Sequence, residues 1–215
     1  MHGDKLVFLK DQLPYNFDLS YVLQTIEEFI PKELITNVDA IYVGKFKDLD
    51  SGDLPFNAKY KDGALYVTND QENENDMIDD IIHEMAHAVE EKYGDRIYTD
   101  GKLENEFLAK RQTLYTMLKQ EGYDPSKDKF YNIEYDKHFD YYLFEVVGYP
   151  LLTNMVIGLF YSPYSATSIN EYFANGIENY LRDKKYLNSI SPILYDKINS
   201  ILDELNNEEN SNDEY

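Results

Sequence analysis

The sequence predicts an α+β protein on three observations. Strand signals crowd the region before Asn69, helical periodicity governs almost everything after it, and an Asp-Gly turn sits between two short apolar runs near the changeover. Leu6 to Leu9 reads as a short buried strand. Leu19, Val22, Leu23, Ile26, Phe29 and Ile30 recur at helical spacing and stop at Pro31, which specifies an amphipathic helix. Ile41 and Val43 alternate with their neighbours as a second strand. Asn57 to Tyr60 and Ala64 to Val67 flank Lys61-Asp62-Gly63, the pattern of a hairpin with Asp-Gly at its turn.

A polar stretch, Asn69 to Asn75, leads into a long helix whose apolar stripe is Met77, Ile78, Ile81, Ile82, Met85, Ala86 and Val89, with Gly94 placed to end it. Further helices are predicted from about Leu103 to Gln120, stopped by Gly122, and from Tyr135 to Val147, ahead of Gly148 and Pro150. Another opens near Ser168, and a last one begins at Pro192, behind the capping residue Ser191. The expected organisation is an N-terminal α+β lobe over 1–94, a small mixed sheet with helices, and a helical C-terminal lobe over 95–205. The polar, acidic stretch 206–215 is expected to be disordered. No internal repeat is visible.

Composition narrows the possible partners. Forty-one acids against 20 bases give a formal charge of −21, which repels phosphate backbones and anionic lipid, so neither nucleic acid nor a membrane is expected as a partner. The absence of cysteine rules out disulfides and thiolate metal sites. No basic-then-apolar leader opens the sequence, and its most apolar run, Met155 to Phe160, is too short to span a bilayer. The expectation is a soluble chain, cytoplasmic by default. Tyrosine is abundant, at 21 residues with no tryptophan, but it packs cores as readily as it lines sites and carries no functional reading by count.

The motif that directs everything else is His83-Glu84-Met85-Ala86-His87, an HExxH. Spacing of four on a helix sets both imidazoles on one face, about one turn apart, where they can chelate one ion. Glu84 is turned away from ligation but can reach water on that ion, the arrangement of a zinc hydrolase with a carboxylate base. A catalytic zinc takes three protein ligands and keeps a position open. No third histidine follows at close spacing, because Glu90 and Glu91 stand where a glycine turn is needed. His2 and His138 lie in unpromising settings, which leaves a carboxylate on a later helix.

Asn170-Glu171-Tyr172-Phe173-Ala174-Asn175 is the candidate. Glu171, Asn175 and Glu178 share one helical face, so Glu171 can reach the metal and Asn175 a ligand imidazole, with Glu178 as the alternative ligand. Ser168-Ile169-Asn170-Glu171 also fits a capping box, in which Glu171 merely ties back to the start of the helix. Tyr164, seven residues before Glu171, is a phenol that can donate to an oxyanion.

These segments resemble the gluzincins, metallopeptidases with HExxH and a distant glutamate, and more closely the family of the anthrax lethal factor catalytic domain and the bacterial Pro-Pro endopeptidases. His83 to Glu91 is similar to that family's HExxHA segment with acids behind it, and Glu171-Tyr172-Phe173-Ala174 to its glutamate helix. Tyr164 matches the family's oxyanion tyrosine in its offset from the glutamate. The hairpin resembles the gluzincin edge strand, which implies that Asn57, Ala58, Lys59 and Tyr60 pair with an extended substrate. The resemblance implies a zincin-like fold, one Zn2+ per chain on His83, His87 and Glu171, and hydrolysis of protein or peptide with Glu84 as general base. One departure stands out. The family's second acid, four residues after the glutamate, is Asn175 here, and an amide accepts from an imidazole N–H without supplying charge. The resemblance covers two short segments and a loop, and the helices from Leu103 to Val147 read as an elaboration. The competing expectation is a gluzincin fold without strong catalysis, used for binding or assembly.

Overall fold

Asp62 and Gly63 both adopt positive φ, 49° and 79°, the backbone of a tight hairpin turn whose twist matches its strands. This is the element the Asp-Gly pair predicts. The computed structural model describes residues 6–35, 37–50 and 56–212 of the chain. The turn joins β3 (Ala58–Lys61) to β4 (Ala64–Thr68), and β1 (Leu6–Leu9) and β2 (Ala40–Gly44) complete a four-stranded sheet in the order β1-β2-β4-β3. The β1–β2 and β2–β4 pairs are parallel and β3–β4 is antiparallel, so the sheet is mixed. Between β1 and β2 run α1 (Leu19–Phe29), capped by the Asp18 carboxylate on the Tyr21 N–H, and a short α2 (Lys32–Ile35); another short helix, α3 (Lys47–Asp50), follows β2.

Register sorts the side chains of the sheet. Phe8, Tyr42 and Tyr66 lie opposite one another and their rings stack at 4.9 and 5.3 Å. Ile41, Val43, Leu65 and Val67 are buried, as are Val22 and Ile26 of α1. The expected burial of β1 is a correction: Leu6, Phe8 and Leu9 are exposed, because β1 is an edge strand.

The long helix α4 runs Glu74–Tyr98 and passes straight through Gly94. A glycine costs about 1 kcal/mol inside a helix, too little to stop one that buries Met77, Ile81, Met85, Val89 and Ile97. The chain turns instead at Gly101, with φ 67°. Then come α5 (Lys102–Gln120), α6 (Lys127–Tyr131) and α7 (Lys137–Tyr141), a π-helix (Tyr142–Gly148), α8 (Tyr149–Met155), a 3-10 turn (Tyr164–Ala166), α9 (Ile169–Arg182), α10 (Lys184–Ile190) and α11 (Pro192–Asn212). The single helix expected over Tyr135 to Val147 is thus α7 and the π-helix, with Pro150 in the first turn of α8. The stretch expected to be disordered from Asn206 is helical backbone as far as Asn212, an extension of the helix nucleated by buried Leu194, Ile198, Ile201 and Leu202. Residues 213–215 lie outside the described residues.

Two units divide the chain, 1–92 with 204–215, and 93–203. The sequence predicts a divide after Gly94. No helix among the described residues is long and apolar enough to cross a membrane.

The second unit is organised by charged side chains of α5, with Lys110 and Arg111 buried and Glu106 half-buried. Arg111 is fully buried, with its guanidinium over the Phe139 ring at 4.2 Å and its nitrogens donating to the carbonyls of Asn132 and Lys129, each at 2.7 Å. Glu106 accepts from the Tyr172 hydroxyl and from the backbone N–H groups of Ile193 and Leu194, so a carboxylate occupies the N-terminus of α11. Lys110 donates to the Leu159 and Ile190 carbonyls and the Ser191 hydroxyl, at 2.5, 2.7 and 2.9 Å, and burial pushes its ammonium down to about 8. Gly176 on α9 lies so close to Leu194 of α11 that an added Cβ meets its Cδ2 at 2.5 Å.

Replacing Lys110 with methionine keeps the bulk and strands three acceptors. We expect Lys110→Met to lower the unfolding free energy by about 3 kcal/mol in urea denaturation. A loss below about 1 kcal/mol rules out the organising role of Lys110.

Candidate metal centre

The i, i+4 spacing of His83 and His87 on α4 places their rings with centroids 5.0 Å apart and nearly perpendicular, at 79°. Both are half-buried, on the flank of a helix whose Met85 and Ala86 are buried. Nδ1 of His87 lies 3.2 Å from Oε2 of Glu90, one turn further along. With the proton on Nδ1 shared with that carboxylate, Nε2 keeps its lone pair for a ligand's position. Glu90 itself is buried, at 8% exposure. The sequence carries the signal for this contact in the i+3 spacing of Glu90 from His87.

Glu84 Oε2 accepts from the backbone N–H of Tyr60 at 2.5 Å. The Tyr60 hydroxyl bonds Glu91, and burial together with that carboxylate pushes the phenol up to about 12. One residue of β3 thus grips α4 twice. The pairing of β3 explains how its N–H is available. The Thr68 N–H donates to the Asn57 carbonyl, so Asn57 and Lys59 turn their backbone groups towards β4, and Ala58 and Tyr60 turn theirs to the outer edge of the sheet.

Asp80 stands one turn before Glu84 and accepts from Gln71 Nε2 at 2.9 Å. Burial raises its carboxyl to about 6; Gln71 opposes the rise, the Glu84 charge adds to it, and His83 opposes it.

Glu171 lies in the first turn of α9, whose N-cap Ser168 accepts from the Glu171 N–H at 3.2 Å. Half of the predicted capping box therefore forms. Its carboxylate joins the histidines: His83, His87 and Glu171 each offer one ligand atom, and these atoms all lie within 4.8 Å of one another. This is the group of metal-ligating type among the described residues, and Glu178 is not in it.

Tyr164 sits in the 3-10 turn ahead of α9. Burial raises its phenol well above the ordinary range, and the charge of Glu171 adds to the rise, so the hydroxyl stays a hydrogen-bond donor at any working pH. Asn175 is buried on α9 and its Oδ1 accepts from the Ser162 hydroxyl at 2.7 Å. A cavity of about 440 Å³ is lined by Asn57, Asp70, Gln71, Glu72 and Asp76, sharing only Asn57 with the predicted site residues.

No protein-family model matches the chain, and no curated protein or solved structure matches it either.

The raised carboxyl of Asp80 makes a pH prediction for the metal-free protein. Between pH of about 4 and 6 the folded state holds a proton that the unfolded state releases, so Asp80 lowers stability as pH rises through that window. We expect Asp80→Asn to gain stability relative to the parent between pH 4 and 7, followed by thermal melting in EDTA. Parallel pH profiles for the two proteins count against it.

Proposed function

We propose that this chain is a zinc-dependent endopeptidase of gluzincin type, with a zincin-like arrangement akin to the lethal factor and Pro-Pro endopeptidase family. The observation that carries the reading is the group formed by His83, His87 and Glu171, beside a Glu84 that follows the first histidine. Two imidazoles and one carboxylate are the donor set of a catalytic zinc with an open position. One ligand atom from each of the three residues lies within 4.8 Å of the others, so His83, His87 and Glu171 are the residues that would hold the ion. The ion, when bound, supplies Lewis acidity that lowers the pKa of water to about 7 and polarises a carbonyl.

The chain's own groups do the rest. Glu84 takes the proton from the attacking water and passes it to the leaving amine. Tyr164, a phenol held neutral, donates its hydroxyl proton in a hydrogen bond to the oxyanion as the carbonyl becomes tetrahedral. Glu90 fixes the His87 ring through Nδ1 and increases its basicity at Nε2. The outer edge of β3 receives the substrate as an added strand, at Ala58 and, once its N–H leaves Glu84, at Tyr60, which fits an extended peptide and gives affinity through backbone bonds.

Elemental analysis of the purified protein is expected to find about one zinc per chain, lost in His83→Ala. Glu84→Gln is expected to keep the metal and to lose peptide hydrolysis; full turnover in that variant removes Glu84 from the role of base. Tyr164→Phe is expected to raise the barrier by about 2.7–4 kcal/mol, read as kcat on a peptide library hit. A change within about twofold assigns Tyr164 to packing instead.

A further inference from the structure

The segment between the two motifs carries side chains towards Glu171. In a continuous α-helix, Asp140 and Tyr149 would lie about two and a half turns apart, on opposite faces. The π-helix Tyr142–Gly148 and the positive φ of Gly148, 89°, change that register. The Tyr149 hydroxyl bonds the Asp140 carboxylate, and the Tyr135 hydroxyl donates to Asp140 Oδ2 at 2.8 Å. Asp140 is 3% exposed, a buried acid with two phenols on it. The Ile169 N–H donates to the Ile133 carbonyl at 2.9 Å, which fastens this segment to the first turn of α9, where Glu171 stands.

Burial is the first cause that raises the Asp140 carboxyl and the phenols of Tyr135, Tyr149 and Tyr164, and the Glu171 charge adds to the rise of each. Burial raises the Asp140 carboxyl first, the Tyr135 and Tyr149 hydroxyls pull it back, and the Glu171 carboxylate repels it in the metal-free protein. A dication removes the repulsion and turns both charges into attraction.

We propose that Asp140, clamped by Tyr135 and Tyr149, is a positioning residue of the metal centre whose buried charge strengthens the hold of Glu171 on zinc. The inference rests on the zinc reading above. It assigns to Asp140 the charge that Asn175, an amide already bonded to Ser162, does not supply. The competing role is purely structural, with Asp140 anchoring two tyrosines. The two roles differ in sign. Removing a repulsive charge leaves the metal-free fold as stable or more so, whereas removing an anchor weakens it.

The test uses the full chain: zinc affinity by competition with a chelating dye, and melting in EDTA, for the parent, Asp140→Asn and Asp124→Asn. Asp124 is a control charge whose side chain is 98% exposed. We expect Asp140→Asn to bind zinc about tenfold more weakly while its metal-free form melts no lower than the parent, and Asp124→Asn to stay within about twofold. An unchanged affinity overturns the proposal. So does a fall in the metal-free melting temperature, or a failure to fold, whatever the affinity. A parent that binds no zinc overturns the zinc reading, and this inference with it, before any variant is compared.

Discussion

Four residues of α-helix, a rise of about 6 Å, separate His83 from His87, and the candidate centre is arranged around that interval. Turns of α4 before and after it supply the supporting acids: Asp80 one turn before Glu84, and Glu90 one turn beyond His87. Because these groups share a helix, their spacing is set by its hydrogen bonds. A loop would leave them to side-chain packing. The strand β3 then ties to the same helix twice through Tyr60, by its N–H on Glu84 and its hydroxyl on Glu91. His83, Glu84 and His87 are therefore as rigid relative to one another as the helix backbone that carries them.

In the second unit, charge takes the place that covalent cross-links hold in many small domains. The chain has no cysteine. Lys110, Arg111 and Glu106, all from α5, each bond several backbone groups at the ends of other segments: carbonyls at Leu159, Ile190, Asn132 and Lys129, and N–H groups at Ile193 and Leu194. Burying ions is costly, and these bonds offset the cost only when all are made at once. Such a core tolerates little rearrangement. That suits a unit whose α9 carries Glu171, the carboxylate proposed as a ligand.

Features decided within a few residues were legible in the sequence. The Asp62-Gly63 turn, the Ser168 cap, the start of α11 at Pro192 and the shared face of His83 and His87 all follow from local geometry. What escaped depends on tertiary context. Gly94 is a helix stop by propensity, yet buried residues on both sides carry α4 through it. The exposure of β1 follows from its place at the sheet edge, which its apolar run does not encode. The π-helix has no residue signature, and without it nothing in the chain suggests that Asp140 and Tyr149 meet. Glu171 lay between, open to two readings on sequence alone. Its N–H donates to Ser168, as the cap requires, and one of its carboxylate oxygens lies within 4.8 Å of a ring nitrogen of each histidine.

The bond from Tyr60 to Glu84 has a consequence for timing. A backbone N–H makes one strong hydrogen bond, and this one is spoken for at rest. A chain laid along the edge of β3, with a carbonyl opposite Tyr60, must take that donor from the carboxylate. Under the proposed reading, occupying the edge at Tyr60 and releasing Glu84 Oε2 from that backbone donor then become a single event, which couples strand addition to the proposed base.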